Sequence, residues 1–218
     1  SDLAFCGYEG IQLMPIEPLV EPPGGAGFWR EAETGDGLVH LELRKPNPVN
    51  WGYDVVTAAS VGVNPGLLAQ GRPDELLDLM DALHSFADGP IKLVLDVVFG
   101  HADNVAMELL DSAFFAGANM YGQNLRYTNP MVRALLLEML TRKAAFGVDG
   151  IRIDGAQDFK NYDPDRDEMV HDDDFLTDIN NLEVQVGDLR YRPWMIFEDG
   201  RPWPRDDWEL ASTYREIT

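Results

Sequence analysis

The sequence predicts an α/β domain: a parallel sheet with helices packed on its outside. Three observations carry that expectation. Apolar runs of strand length recur near residues 11, 93, 151 and 196. Segments with helical spacing lie between them. The runs are apolar on both faces, as strands covered by helices are. With 218 residues, 45% hydrophobic and 10% aromatic, the chain has the material for such a core.

Each element has its own signal. Gly10–Pro15, "GIQLMP", reads as a buried strand, and a loop rich in Gly and Pro follows it. Leu38–Leu43 alternates apolar and polar and reads as a short extra strand. "NPVNWGYD" is a loop that displays aromatic rings. In Pro73–Phe86 the residues Leu76, Leu79, Met80 and Leu83 fall on one helical stripe, with Pro73 near its start. Ile91–Phe99 is β-branched and of strand length. Asn129–Phe146 is a helix opened by an Asn-Pro pair, an N-cap followed by N1, and Gly147 breaks it. Val148–Ile153 is the next strand. After the acidic stretch "NYDPDRDEMVHDDD", a helix over about Phe175–Gly187 uses the Asp run at its positive end. Pro193–Phe197 is the last strand. No internal repeat or low-complexity tract is seen.

Charge narrows the partners. Seventeen cations against 38 acids give −21 and a pI near 4.3. Nucleic acid and anionic membrane surfaces would be repelled, whereas a neutral ligand would not. Four of the cations are Lys; the acid-rich balance suits a salty cytoplasm and ordinary solubility alike. Cys6 is the one cysteine, so no intrachain disulfide can form and a cytoplasmic location is expected; as a residue it reads as a small buried apolar group. No signal-peptide pattern or membrane-length apolar run is seen.

The polar residues gather at strand ends. The second strand ends "LDVVFGHADN", the third "RIDGAQD", the fourth "FEDGRPW". Ligands of parallel α/β folds bind at that edge, where the βα loops converge. Asp154 ends an apolar strand and needs a partner. Arg152, two residues earlier, faces the same way and supplies one. That pair alone reads either as a self-satisfying ion pair or as a nucleophile held ionised. Glu198 follows "WMIF", an apolar neighbourhood expected to raise its pKa as a proton donor requires. Two oppositely tuned carboxyls are the parts for cleaving a glycosidic bond. Trp51, Tyr53, Tyr121 and Trp203, in loops at the same edge, offer ring faces to a sugar; for Tyr121 a core position is the equal alternative.

Six segments, in this order and spacing, make a family resemblance. "GYEGIQLMPIEP" (Gly7–Pro18), "NWGYD" (Asn50–Asp54), "DVVFGH" (Asp96–His101), "NLRYTNPMVRALL" (Asn124–Leu136) and "GIRIDGA" (Gly150–Ala156) with "FED" (Phe197–Asp199) resemble motifs of the α-amylase family, glycoside hydrolase family 13. The resemblance implies a partial (β/α)8 TIM barrel, about strands two to five with their helices. It implies cleavage of α-glucosidic bonds with retention and a small-molecule carbohydrate as partner. By matching motif, Asp154 is the nucleophile and Glu198 the acid/base. Arg152 orients Asp154, His101 hydrogen-bonds the sugar, and Tyr53 stacks under it. Trp51, Asp54 and Asp158 complete the substrate contacts, and Asp96 is a structural anchor. Retention implies carboxyls about 5–5.5 Å apart and a covalent glucosyl-enzyme.

The sequence also departs from that pattern. Residues 1–218 read as part of a single catalytic barrel incomplete at both ends, and the carboxylate expected after a seventh strand has no counterpart. An open half barrel leaves two bare sheet edges, so the chain is expected to be a piece of a larger enzyme, inactive alone. Gly100 stands where many members carry a calcium-ligating Asn, so no cofactor is expected and calcium stays an open question. "DPDRD" at 163–167 has the alternate carboxylates of a calcium loop, but Glu168 stands where Gly belongs, and a solvated acidic loop is the reading. Gln157 and Asp158 replace the Lys-His pair that meets the leaving sugar in starch-cleaving members. A short glucoside is therefore expected. The segments Gly52–Leu68 and Asp96–Asn104 resemble members acting on glucosylglycerol. A transglycosylase or phosphorylase on a small disaccharide, or an inactive sugar-binding fragment, are the alternatives.

Overall fold

The four apolar runs become neighbouring parallel strands, in the order in which the sequence lays them down. The computed structural model describes residues 7–19, 29–33, 39–43, 51–87, 89–119 and 121–198. In chain order, β1 (Gly10–Leu13) precedes an antiparallel hairpin of β2 (Trp29–Glu33) and β3 (Val39–Leu43). Helix α1 (Glu75–His84) leads into β4 (Lys92–Val98). A small antiparallel sheet follows, made of β5 (His101–Ala102), β6 (Phe115–Asn119) and β7 (Gly122–Leu125), with the single-turn helix α2 (Ala106–Leu109) inserted. Helix α3 (Pro130–Ala144) leads into β8 (Gly150–Asp154). The hairpin β9 (Lys160–Asp163) and β10 (Glu168–His171) then precedes α4 (Asp173–Asn180). A last hairpin, β11 (Val184–Val186) and β12 (Leu189–Tyr191), precedes β13 (Trp194–Phe197).

The central sheet runs β1-β4-β8-β13, all parallel. Among the described residues it stays open at β1 and β13 and no closed barrel forms. Parallel strands need long crossovers, and here α1 and α3 supply two of them. Strand alternation sends Leu93, Leu95 and Val97 of β4, and Ile151 and Ile153 of β8, into the buried cluster. There they meet Leu76, Met80 and Leu83 of α1, Val132, Leu136 and Leu140 of α3, and Phe175, Leu176 and Ile179 of α4. Each such side chain contributes about 1.5–3 kcal/mol by leaving water. Asn129 caps α3 as its sequence promises: its side chain accepts from the Met131 N–H, and Pro130 takes the first helical position.

The elements differ from expectation in several places. Leu79 faces outward and is 38% exposed, because the buried stripe of α1 is Leu76, Met80 and Leu83. The last helix is Asp173–Asn180 rather than Phe175–Gly187: Asp172 accepts from the Phe175 N–H to start it two residues earlier, and Gly187 belongs to the tight turn of the β11–β12 hairpin. The short strand expected at 38–43 is β3, and its partner β2 lies in what reads as loop. The acidic "DPDRD" stretch is the turn of the β9–β10 hairpin, where Tyr162 donates to Asp167. Cys6, Asn50, Asp199 and Trp203 lie outside the described residues.

Candidate active site

Strand register places the polar cluster. Asp96 on β4 and Arg152 on β8 are direct register partners, as are Val98 and Asp154. Because alternate residues share a face, Asp96, Arg152 and Asp154 all point away from the helical core. Phe197 of β13 pairs with Ile153, and the Glu198 N–H donates to the Ile153 carbonyl at 3.1 Å. Glu198 therefore arrives beside Asp154. Gly155 follows with φ of +74°, a left-handed turn, and its N–H donates to Glu198 Oε2 at 2.7 Å.

Arg152 is the hub. Its Nη1 donates to both oxygens of Asp96 at 2.6 Å and to Asp154 Oδ1 at 3.0 Å, and its Nη2 lies 2.9 Å from Glu198 Oε1. Asp96 is fully buried and also accepts from the Tyr53 hydroxyl at 2.8 Å and Gln12 Nε2 at 3.2 Å. Burial, then the hydrogen bond to Asp96, holds the Tyr53 phenol well above its ordinary range, so it remains a donor. One cation thus serves three acids, and an anionic cluster remains around it.

That imbalance corrects the expected tuning. Arg152 was to hold Asp154 ionised, yet the Asp154 carboxyl is pushed up to about 7. Burial is the largest cause, followed by the charge of Glu198, with Arg152 opposing and Glu198, as acceptor for the protonated Asp154, adding to the rise. The guanidinium is spent first on Asp96, which it meets at the shorter distances. Nor is Glu198 in purely apolar surroundings: Arg152 and the Gly155 N–H both face its carboxyl.

Asp154 and Glu198 open into one cleft of about 850 Å³, lined also by His101, Tyr121, Asn124, Tyr127, Asp158 and Lys160. His101 is buried, and its Nε2 is 2.8 Å from the Tyr53 carbonyl. Burial lowers its pKa, so the ring is neutral near pH 7 with Nε2 donating to that carbonyl. Tyr121 stacks on it, with ring centroids 4.5 Å apart. Asp158 is exposed on the wall of this cleft. Asp54 is not among its lining residues; its charge acts on His101 and Asp103. Trp51, 70% exposed, lines a separate apolar hollow of about 560 Å³ with Leu13, Met14 and Leu67. So Asp96, Arg152, Asp154, Glu198, Tyr53 and His101 come together, and Trp51 and Asp54 stand apart.

Sequence reasoning misses Gln12, Gly155 and Tyr127. A polar residue inside "GIQL" was a readable signal for Gln12; the Gly155 N–H, being backbone, had none beyond its glycine. At Gly100 no side-chain oxygen is available to calcium, and a Cβ there would stand 2.9 Å from the Tyr127 hydroxyl. Among the described residues no group of three or more His, Cys, Asp or Glu is placed to hold a metal ion. No helix among them is long and apolar enough to cross a membrane.

Comparison with known proteins gives a family and a fold. The whole chain, residues 1–218, matches the family described as Hypothetical glycoside hydrolase 5. No curated protein matches. Among solved structures, an α-amylase from H. orenii shares 18% identity at a TM-score of 0.56, covering 96% of this chain and 41% of that one. A putative α-amylase from Salmonella typhimurium shares 23% at 0.55, covering 94% and 30%. The α-amylase of Geobacillus thermoleovorans, solved with acarbose, shares 18% at 0.51, covering 81% and 34%. At these identities the likeness concerns the fold. The chain spans between 30% and 41% of the length of these three structures.

Proposed function

The chain belongs to the family described as Hypothetical glycoside hydrolase 5, and from that premise we propose that it forms part of a retaining glycosidase acting on a small α-glucoside, glucosylglycerol being the favoured substrate. What supports this reading most is one arrangement: Asp154 and Glu198 share the Arg152 guanidinium, at the carboxyl edge of a parallel sheet, and line the same cleft. We place the sheet as the part of an α-amylase-type barrel that carries strands two to five.

In the first step the Asp154 carboxylate attacks the anomeric carbon while Glu198 gives its proton to the departing oxygen. A glucosyl ester of Asp154 forms and the alcohol leaves. In the second step Glu198 takes a proton from water, the water oxygen attacks the anomeric carbon, and Asp154 departs as a carboxylate. The free pair holds its proton on Asp154 up to about pH 7. Both carboxyls are held on one guanidinium, Asp154 at 3.0 Å and Glu198 at 2.9 Å, so the proton has a short path to Glu198, where the first step needs it. Tyr53 and Asp96 keep Arg152 in place, and Arg152 in turn fixes both acids. His101, its Nε2 tied to a backbone carbonyl, offers a neutral ring at the cleft wall.

A second reading has its own support. Arg126 and Lys160 line the cleft with the acids. They would suit a phosphorylase, in which inorganic phosphate replaces water in the second step and yields glucose 1-phosphate. The test is a panel of short α-glucosides, glucosylglycerol included, offered to the full-length protein with and without phosphate. Release of glucose with its anomeric configuration retained is expected. No release from any member, or inversion, would overturn the reading; phosphate-dependent glucose 1-phosphate would select the second.

A further inference from the structure

The tip of the β6–β7 hairpin lays a tyrosine on His101, and the chemistry above makes no use of it. The Tyr121 and His101 rings lie 4.5 Å apart and 16° from parallel. His101 is 7% exposed, whereas Tyr121 keeps 39% of its surface open and lines the cleft. One face of the phenol is thus covered by imidazole, and what stays open adjoins the cavity that holds Asp154 and Glu198. The other aromatic residues expected to meet a sugar are placed differently. Trp51 lines the apolar hollow, and Tyr53 is not among the lining residues of the cleft and gives its hydroxyl to Asp96.

The turn holds that ring still. Asn119 Oδ1 accepts from the Tyr121 and Gly122 N–H groups, each at 2.8 Å. Asn119 Nδ2 donates to Asn124 Oδ1 at 2.7 Å, and Asn124 is the register partner of His101. Gly122 has φ of +143°, and a Cβ there would stand 2.4 Å from the Ala102 carbonyl oxygen, so glycine is what lets the tip close on β5. His101 is fixed in its turn by the Tyr53 carbonyl. A single exposed ring is ordinary on a protein surface. A ring held by its backbone and by one face, on a cleft wall that also carries the amides of Asn119 and Asn124, is a preorganised surface. It suits a neutral, hydroxyl-rich ring, whose C–H groups meet the phenol face while its hydroxyls meet the amides.

We propose that Tyr121, seated on His101, is the surface on which the glucosyl ring of the substrate packs, in the stacking role that the sequence pattern gives to Tyr53. This deepens the glycosidase reading and rests on the cleft assigned there. Every substrate of the site carries that ring. Loss of the Tyr121 face should therefore weaken all of them by one factor, whatever the leaving group.

The test uses Tyr121→Leu and Tyr121→Phe in the full-length protein. The probe is methyl α-thioglucoside, whose sulfur linkage resists hydrolysis, with binding read by calorimetry and by proton NMR of the sugar. In wild type the sugar C–H protons that lie over the ring should shift upfield. In Tyr121→Leu that shift should vanish and affinity fall about 3–10-fold, the worth of one aromatic contact. Tyr121→Phe keeps the ring and should bind and shift as wild type does. On an aryl and an alkyl α-glucoside, Tyr121→Leu should lower kcat/KM by the same factor. If Tyr121 only packs on His101, Tyr121→Leu lowers the melting temperature while the sugar shifts persist, and the inference falls. Equal losses in the two variants, or no loss in either, overturn it too. A wild-type complex without upfield-shifted sugar protons overturns it with no variant needed. Ring-dependent binding without turnover of any α-glucoside supports the inference and overturns the hydrolytic reading. A wild-type protein that binds no α-glucoside overturns both.

Discussion

Asp154→Asn is expected to stabilise the protein in mild alkali while ending its chemistry. The Asp154 carboxyl stands at about 7 against an ordinary 3.8, from burial first and Glu198 second. A carboxyl with a higher value folded than unfolded favours the folded state below its unfolded value. That contribution is lost as pH rises to the folded value. The window is therefore roughly 3.8 to 7. At about 1.36 kcal/mol per pH unit, ionising Asp154 in the fold costs on the order of 4 kcal/mol at pH 8 and about 1.5 kcal/mol at pH 5. The side chain is 16% exposed, which trims both figures. An amide nearly fits the site and does not ionise. Urea unfolding of both proteins at pH 5, 6.5 and 8 should show the variant's advantage growing with pH, to a few kcal/mol at the top. A variant no more stable than wild type at pH 8, with no growth from pH 5, would refute the reasoning.

Three further outcomes follow from the same cluster. Arg152→Met leaves Asp96 buried beside the other two acids without its cation, and should cost about 3–5 kcal/mol at pH 7 by denaturation. The loss should shrink as pH falls and the stranded carboxyls take up protons. Glu198→Gln should spare glucosides with good leaving groups more than natural ones, because only the latter need a proton delivered; steady-state rates on an aryl and an alkyl glucoside check this, and equal losses would count against the acid role. The alkaline limb of kcat/KM should lie near pH 7, activity falling as the pair gives up the proton that Glu198 must deliver; a rate that holds undiminished to pH 9 would contradict it.

Much of the central sheet is readable in the sequence because its strands are long, β-branched and buried on both faces. Ile91–Phe99 contains β4, and 148–153 overlaps β8 closely. Asn129-Pro130 fixes the start of α3 because cap and first turn are chemically distinctive. The hairpins resist reading for the opposite reason. β6 is "FAGAN" and β7 is "GQNL", with little β-branching and one buried side chain at most per turn of pattern. They pair only with one another and with β5, in a sheet apart from the central one, and local propensity does not encode that pairing.

The site divides the same way. Arg152 and Asp154 are legible because two charges in an apolar strand must be paired, and Asp96 because it interrupts "LVLDVVF". What a linear reading hides is arithmetic between strands. Register sets Asp96 against Arg152 and so spends the guanidinium before it reaches Asp154. The sign of the Asp154 shift follows from burial and from Glu198 on the neighbouring strand, which the Arg-x-Asp spacing does not show. Trp51 shows the converse error. An exposed ring next to Tyr53 in sequence suggests a shared site, yet it lines the apolar hollow beside β1.

The most direct measurement is mass spectrometry of the full-length protein after incubation with a fluorinated α-glucosyl donor, followed by peptide mapping. A glucosyl adduct on Asp154, absent in Asp154→Asn, is the predicted result. An adduct on another residue, or steady turnover of α-glucosides with no ester trapped on Asp154, would contradict the account.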